Sequence, residues 1–166
     1  WNAGRNMYIM GKLTDVNLNK EGISTVMSNV AGKVPPIFQQ LEYVRFSGDA
    51  TGYLHDLIIT GLLHTGVGTI KADVMMSIDK QQNRTYSGNI ASADLNVGKL
   101  LDNERKFGTA DFNLELKGFN YKNHYPESYI KGNIASFEYS QYKYENIALD
   151  GVYKDGGFNG KLAMDD

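Results

Sequence analysis

Histidine is rare in this chain, and its few copies are far apart. Its three histidines are His55, His64 and His124, and cysteine is absent. No two histidines have the spacing of metal ligands, and no HExxH motif occurs. Without cysteine the chain can form neither a disulfide nor a thiolate zinc site. The sequence therefore predicts no metal site and no cofactor.

Motifs for nucleophilic or nucleotide chemistry are also missing. Gly66-Val67-Gly68 has no third glycine and no helical pattern behind it, so it does not predict a dinucleotide site. The Gly-Lys pairs are never followed by Ser or Thr as in a P-loop, and no GxSxG motif occurs. Asp165 and Asp166 are adjacent, so on a strand they would face opposite sides and could not act as an acid–base pair. We therefore expect a protein that is not an enzyme.

Charge and aromatic content point away from nucleic acid and toward β structure. The formal net charge is −2, and the Lys and Arg residues are scattered singly, so no basic stripe predicts a nucleic-acid partner. The 11 tyrosines and 7 phenylalanines are typical of strands. Most of the tyrosines, among them Tyr121 and Tyr129, lie between residues 121 and 153. They could form a sugar-stacking platform or could simply lie along the rims of a sheet.

Alternation of apolar and polar residues is the dominant pattern and predicts β-strands. It is clearest over residues 7–14, 44–51, 68–78, 107–118, 147–153 and 158–165. One apolar and one polar face per strand, with turn signals between strands, favours an antiparallel sheet of at least eight strands. We therefore predict an all-β fold with minor α content.

Two segments break the alternation. In residues 20–42, apolar residues at 23, 26, 27 and 30 have helical spacing. Gly32 can end that helix, and Pro35-Pro36 suits the start of a second short turn. We predict one short helical excursion there, covering one end of the sheet. Residues 97–101 fit either a single helical turn or a loop that crosses the sheet.

A short repeat predicts that the sheet is built from stacked units. The segment Gly88-Asn89-Ile90-Ala91-Ser92 recurs with identical residues at positions 132–136. A looser pattern, an apolar residue followed two positions later by glycine, recurs along the chain from Ile9/Gly11 to Phe158/Gly160. Because glycine within a strand marks a bulge, a bend or close approach of another group, this series predicts a curled sheet with its apolar side inside. The alternative is an ordinary sandwich with glycines at its bulges.

The sequence at both ends of the chain predicts that it is a segment of a longer protein. Trp1 follows no initiator methionine or leader, and Met164-Asp165-Asp166 ends within a strand-like alternation. No apolar run approaches the length of a membrane span, so none is predicted. We expect residues 1–166 to be a single segment of a repeating β domain.

The repeating segments resemble the middle portion of TamB proteins of the AsmA-like group. The similarity is carried by Phe46-Ser47-Gly48, by residues 95–101 and most clearly by residues 130–139 and 142–151, followed by Gly157-Phe158-x-Gly160. It covers residues 40–166 well and the first forty residues weakly. These motifs are structural repeats and not a catalytic signature.

The resemblance implies a function in outer-membrane biogenesis. TamB is the inner-membrane component of the translocation and assembly module and crosses the periplasm. Its repeats form a curled sheet, a β-taco, whose apolar groove carries phospholipid toward the outer membrane. It pairs with TamA, an outer-membrane barrel protein, through its C-terminal end, which we expect to lie outside this segment. The resemblance therefore implies a periplasmic lipid-transport segment of a protein anchored in the inner membrane.

The alternation, taken with this resemblance, predicts which residues contact acyl chains. Period-two spacing and in-register pairing place alternate apolar residues of the later strands on one concave surface. The predicted lipid-binding residues are Phe112, Leu114, Leu116, Ile130, Ile134, Ile147, Leu149, Phe158 and Leu162. Four glycines in the same stripe, Gly118, Gly132, Gly151 and Gly160, are expected to leave low points where an acyl chain could lie.

The same alternation of apolar and polar residues is also compatible with a different function. The chain could be a structural or interaction module, such as an outer-membrane assembly scaffold or an adhesin-like repeat. The apolar residues would then form a dry, tightly packed core between two sheets. The architecture of the sheet distinguishes the two alternatives. An open groove formed by one curled sheet would favour the lipid-transport function, and a closed sandwich of two sheets would favour the scaffold function.

Overall fold

A computed structural model describes residues 7–31, 36–53, 55–121, 126–155 and 157–164. The sequence predictions for Gly32, Pro35, His124 and the Asp165-Asp166 pair fall outside these residues. The elements are β1 (Tyr8–Asn19), α1 (Lys20–Ala31), a 3₁₀-helix (Pro36–Leu41), β2 (Tyr43–Tyr53), β3 (Asp56–Thr65), β4 (Gly68–Ile78), β5 (Arg84–Asn96), α2 (Val97–Leu100), β6 (Phe107–Asn120), β7 (Glu127–Tyr139), β8 (Tyr142–Lys154) and β9 (Gly157–Met164).

The described strands form one antiparallel sheet in which each strand pairs with its neighbours in sequence, from β1 at one edge to β9 at the other. The predicted antiparallel all-β fold of at least eight strands is confirmed. Between β7 and β8, Ser140 and Gln141 both have positive φ, 51° and 67°, and join the paired residues Tyr139 and Tyr142. This is the geometry of a type I′ turn, although its typical Asn-Gly sequence is absent.

The sheet is open, and the predicted curl around an apolar groove is not observed. In the described chain β1 and β9 do not pair, and no second sheet forms a sandwich. The glycines expected to bend the sheet pair in regular register instead, Gly48 with Gly61 and Gly151 with Gly160. The strands therefore run across these glycines without a bulge, so neither the curl nor the sandwich alternative explains them.

The predicted helical excursion is confirmed and consists of two pieces, α1 and the 3₁₀-helix. α1 begins directly after β1, where the Asn19 side chain accepts a hydrogen bond of 2.9 Å from the backbone N–H of Gly22. Residues 97–100 form the helical turn α2 and not a crossing loop. Its N-cap is Asn96, whose Oδ1 accepts a 2.7 Å hydrogen bond from the backbone N–H of Lys99. None of the described helices is long and apolar enough to cross a membrane.

The helices cover one end of the apolar face and bury the main core there. We call Ile23, Leu41, Val44, Val67 and Leu95 the core cluster; each is at most 7% exposed. A single sheet buries its apolar side chains only if a second layer packs on them. At this end of the sheet the second layer consists of helices, as the sequence predicted.

Bulges interrupt the register elsewhere, and one of them brings Leu95 into the core cluster. Regular alternation after Ser92 would turn residue 94 to the apolar face, but the bulge between β5 and β6 turns Leu95 there, opposite Ala110. Asp111 stabilises the bulge, because its Oδ1 accepts a 2.6 Å hydrogen bond from the backbone N–H of Asp94. This bond, together with one from the hydroxyl of Ser136, lowers the pKa of Asp111.

The two glycines that open the sequence repeat have a backbone conformation that other residues avoid. Gly88 and Gly132 have φ of 148° and 149°. A Cβ atom on Gly88 would collide with the carbonyl oxygen of Asp73 on β4, and one on Gly132 would collide with that of Asn113 on β6. The repeat thus marks two equivalent places where a neighbouring strand approaches too closely for a side chain.

Replacing Gly88 by alanine is therefore expected to lower the free energy of unfolding by about 1–3 kcal/mol. Gly11→Ala is the matched control, because a Cβ there meets nothing within 4 Å. It is expected to change the free energy of unfolding by about 0.5 kcal/mol or less. Urea denaturation of both variants measures the difference, and equal effects would contradict the role assigned to Gly88.

Candidate functional site

The nine residues predicted to contact acyl chains lie on one face of the sheet, and we call them the apolar strip. Successive cross-strand pairs align these residues in rows across the sheet. The rows are Phe112, Ile134 and Ile147; Leu114, Gly132, Leu149 and Leu162; Leu116 and Ile130; and Tyr153 and Phe158. Directly paired residues point to the same side of a sheet. The structure therefore brings all nine together across β6, β7, β8 and β9.

Solvent exposure is greatest on β9, at the edge of the apolar strip. Ile147 on β8 is 7% exposed, whereas Phe158 and Leu162 on β9 are 39% and 64% exposed. The other six residues of the strip are partly exposed. The helices have their main contacts with β1, β2 and β6, so the strip on β7 to β9 has no second layer in the described chain.

Phe112 marks the border between the covered and the open parts of the apolar face. It packs against the core cluster, whereas the other eight residues of the strip do not. The apolar face is thus divided into a dry core under the helices and an open surface beyond Phe112. A single sequence pattern produced both, because the alternation continues unchanged from one part to the other.

The expectation that glycines leave low points in the strip is wrong at Gly118. The ring of Tyr86 lies over this glycine, where it would collide with a Cβ atom, and Gly118 is buried. The hydroxyl of Tyr86 reaches across β6 to hydrogen-bond with the hydroxyl of Ser128. The ring fills the space above Gly118 because it makes van der Waals contacts there, and these contacts would be lost if the space were empty.

The same correction applies to Gly151 and Gly160. The ring of Phe158 lies over both glycines, which pair with each other between β8 and β9. Among the four glycines of the stripe, Gly132 alone has backbone atoms at all three of the nearest positions. Phe158 therefore fills the stripe of glycines near the β9 edge and presents its ring there as part of the exposed apolar surface.

The opposite face carries exposed apolar residues that alternation alone did not predict. Ile58 and Met75 pair across β3 and β4 on this face, and each is 47% exposed. Both belong to runs of three apolar residues, 57–59 and 74–76. A run of consecutive apolar residues in a strand must place at least one of them on each face, and this signal could have identified them.

The described histidines have ordinary polar and aromatic contacts. Nδ1 of His64 lies 2.9 Å from the hydroxyl of Thr69 on the next strand, and the ring of His55 stacks on Tyr53 with 5.5 Å between centroids. Within the described ranges no three potential metal-ligating side chains lie together. What the apolar strip offers a ligand is an extended apolar contact surface without hydrogen-bonding side chains.

Comparisons with known proteins identify no relative. No protein-family model matches the chain, and no similar curated protein or solved structure was found. The resemblance to TamB proteins therefore rests on the sequence motifs, and the functional inference rests on the geometry of the apolar strip.

Proposed function

We propose that this chain is a non-enzymatic segment of a TamB-like lipid-transport protein and holds phospholipid acyl chains against the apolar strip. The observation that carries the proposal is the apolar surface on β7, β8 and β9 that no other part of the described chain covers. Its edge residues Phe158 and Leu162 are 39% and 64% exposed. Apolar surface of this kind is favourably removed from water by any apolar ligand that lies on it.

The dimensions and chemistry of the strip suit an acyl chain. Neighbouring strands are about 4.8 Å apart, so the four strands β6 to β9 present an apolar width of roughly 14 Å. Each methylene group removed from water contributes about 0.8 kcal/mol, so partial contact along this width gives useful affinity. The nine side chains of the apolar strip are all hydrocarbon and cannot fix a ligand by hydrogen bonds. Contacts of this type tolerate sliding, which transport along a surface requires.

The cellular setting of the proposal follows from the resemblance to TamB proteins. We place the segment in the periplasm, within a parent protein that is anchored in the inner membrane. Phospholipid would pass along the strip toward the outer membrane. The contact with a TamA-like barrel would be made by a part of the parent chain outside this segment. No nucleic acid and no cofactor take part.

The second candidate is a structural or interaction module, and the core cluster is the observation that favours it. Under the helices the apolar face is a dry, packed core, as expected of a scaffold. In that case a protein partner would cover the apolar strip and extend this core. The absence of a second sheet in the described chain supports the lipid proposal over a self-contained sandwich.

Native mass spectrometry of the protein purified from cells tests the proposal. We expect adducts with the masses of phospholipids, released as the collision energy is raised. The physical reason is that an uncovered apolar surface retains amphiphiles during purification in water. A protein that is folded and carries no phospholipid, even after incubation with phospholipid vesicles, would contradict the proposal and favour the scaffold.

A further inference from the structure

A single charged residue, Arg84 on β5, shares the face of the apolar strip. It pairs with Ile78 on β4 and with Asn120 on β6. Asn120 and Leu116 of the strip are separated by an even number of residues on a regular part of β6, so Arg84 points to the same side as Leu116. Among the described residues that pair between strands, every other charged residue points to the opposite face. The apolar face thus carries one cation and no paired carboxylate.

Arg84 lies at the end of the apolar face that is distant from the helices. It begins β5, whereas Leu95 of the core cluster lies near the other end of this strand. Its Nη1 donates a 3.3 Å hydrogen bond to the carbonyl oxygen of Gln82 in the turn before β5, and the residue is partly exposed. Asp79 in the same turn accepts hydrogen bonds at 2.8 Å from two backbone N–H groups of the turn. The guanidinium group is therefore held at the open end of the sheet, in contact with water.

Polar groups accompany Arg84 at this end of the face. Asn120 is its cross-strand partner, and its amide can donate hydrogen bonds to an oxygen anion. In the next row toward the strip, the hydroxyls of Tyr86 and Ser128 hydrogen-bond to each other across β6. The ring of Tyr86 lies over Gly118 and continues the apolar surface up to these groups. The face therefore changes from apolar to polar between the strip and Arg84.

The distance from this polar end to the strip is comparable to the length of an acyl chain. Leu116 and Phe112 lie along β6 from Asn120 at roughly 14 and 27 Å, given the usual strand rise of about 3.4 Å per residue. An acyl chain spans half of the hydrocarbon core of a bilayer, or roughly 15 Å. A chain that starts beside Arg84 and runs along the strands therefore reaches the row of Leu116.

A guanidinium group at the end of an apolar surface suits the phosphate of an amphiphile. Its planar fork of N–H groups matches the oxygens of a phosphate in pairs. It has enough donors to keep the carbonyl of Gln82 and still offer such a pair. No acidic side chain among the strand-paired residues of this face competes for Arg84. The arrangement of charge and apolar surface is thus that of a phospholipid, with an anionic group at one end of a hydrocarbon chain.

We infer that Arg84 binds the phosphate of a phospholipid whose acyl chains lie on the apolar strip. The inference rests on the proposed lipid function and adds a headgroup site and an orientation to it. The headgroup lies at the start of β5, and the chains run along the strands toward the helices. An ion pair in contact with water is weak, so the headgroup can leave again, as transport requires. The site then favours a phospholipid over a neutral lipid with the same chains.

Isothermal titration calorimetry with three probes, each below its micelle concentration, tests the inference. Dioctanoyl phosphatidylglycerol carries both chains and phosphate, dioctanoylglycerol carries the chains alone, and glycerophosphate carries the phosphate alone. We expect the phospholipid to bind about tenfold or more tightly than dioctanoylglycerol, the scale of a hydrogen bond to a charged group. Glycerophosphate should show no measurable binding, because it has no chain to lie on the strip.

Arg84→Gln should lower the affinity for the phospholipid to that for dioctanoylglycerol and leave the latter unchanged. Lys117→Gln is the matched control, because it removes the same charge from an exposed residue on the opposite face and should keep the preference. Urea denaturation verifies that both variants are folded, and the comparison of the lipids in the parent protein needs no variant.

The outcomes separate this inference from the lipid function on which it rests. Equal affinities of the parent protein for the two lipids would overturn the headgroup site and leave the lipid function standing. The same holds for an unchanged preference in folded Arg84→Gln. Binding of glycerophosphate as tight as that of the phospholipid would show a site for free phosphate instead. Binding of neither lipid would overturn the lipid function and the headgroup site together.

Discussion

Leu149→Glu is expected to abolish phospholipid binding while the protein stays folded. Leu149 lies in the middle of the apolar strip, paired with Gly132 on one side and Leu162 on the other. It is partly exposed, so a carboxylate there keeps contact with water in the free protein. An acyl chain laid on the strip would remove that water, and an unpaired charge in an apolar contact costs several kcal/mol. Affinity should therefore fall by more than about tenfold.

Ala148→Glu is the control for this variant. Ala148 is the preceding residue, is exposed on the opposite face, and pairs with Asn133 and Ala163 rather than with an acidic side chain. It adds the same charge without touching the strip, so lipid adducts in native mass spectra should persist. Thermal unfolding by circular dichroism verifies the fold of both variants. If Leu149→Glu unfolds and Ala148→Glu does not, the strip is a packed core and the scaffold function is favoured.

Leu95→Ala is expected to lower the free energy of unfolding by about 2–5 kcal/mol. Leu95 is 4% exposed and belongs to the core cluster, which joins α1, the 3₁₀-helix and the sheet. Truncating it leaves a cavity that the surrounding residues can fill only in part. A loss of this size is a large fraction of the stability of a typical domain. Urea denaturation with circular dichroism detection measures it.

Leu162→Ala is the comparison for the stability experiment. Leu162 carries the same side chain but is 64% exposed on β9, so its truncation is expected to cost about 0.5 kcal/mol or less. The contrast tests the division of the apolar face into a dry core and an open surface. Similar losses for the two variants would mean that the strip is covered in solution or that the helices do not seal the core.

Much of the fold could be predicted from the alternation. A strand has a side-chain period of two, so the spacing of Phe112, Leu114 and Leu116 already placed them on one face. A register slip would have turned such residues to water, and in-register pairing across β6 to β9 was therefore predictable. The helical excursion was predictable too, because apolar residues at 23, 26 and 27 follow a helical period.

The repeat and its glycines were visible in the sequence, but their meaning was not. The glycine series that includes Gly88 and Gly132 predicts curvature, whereas in the structure a carbonyl of the neighbouring strand lies close to each of these two glycines. Glycine permits a bend, a bulge or a close contact equally well. Whether a glycine permits a bend, a bulge or a close contact depends on the atoms of the neighbouring strand. The sequence of one strand alone does not reveal where those atoms lie.

The sequence by itself determined the strands, the two faces of the sheet and the membership of the apolar strip, since these follow from local periodicity. Only the tertiary structure decided that the sheet is open, that helices cover one end of it, and that Tyr86 and Phe158 fill the positions above glycines. It also decided that Phe119, Tyr121 and Tyr129 meet beside Lys117 on the other face. Such features depend on cross-strand register and on which layer packs over a face, and these are set by contacts between residues distant in the chain.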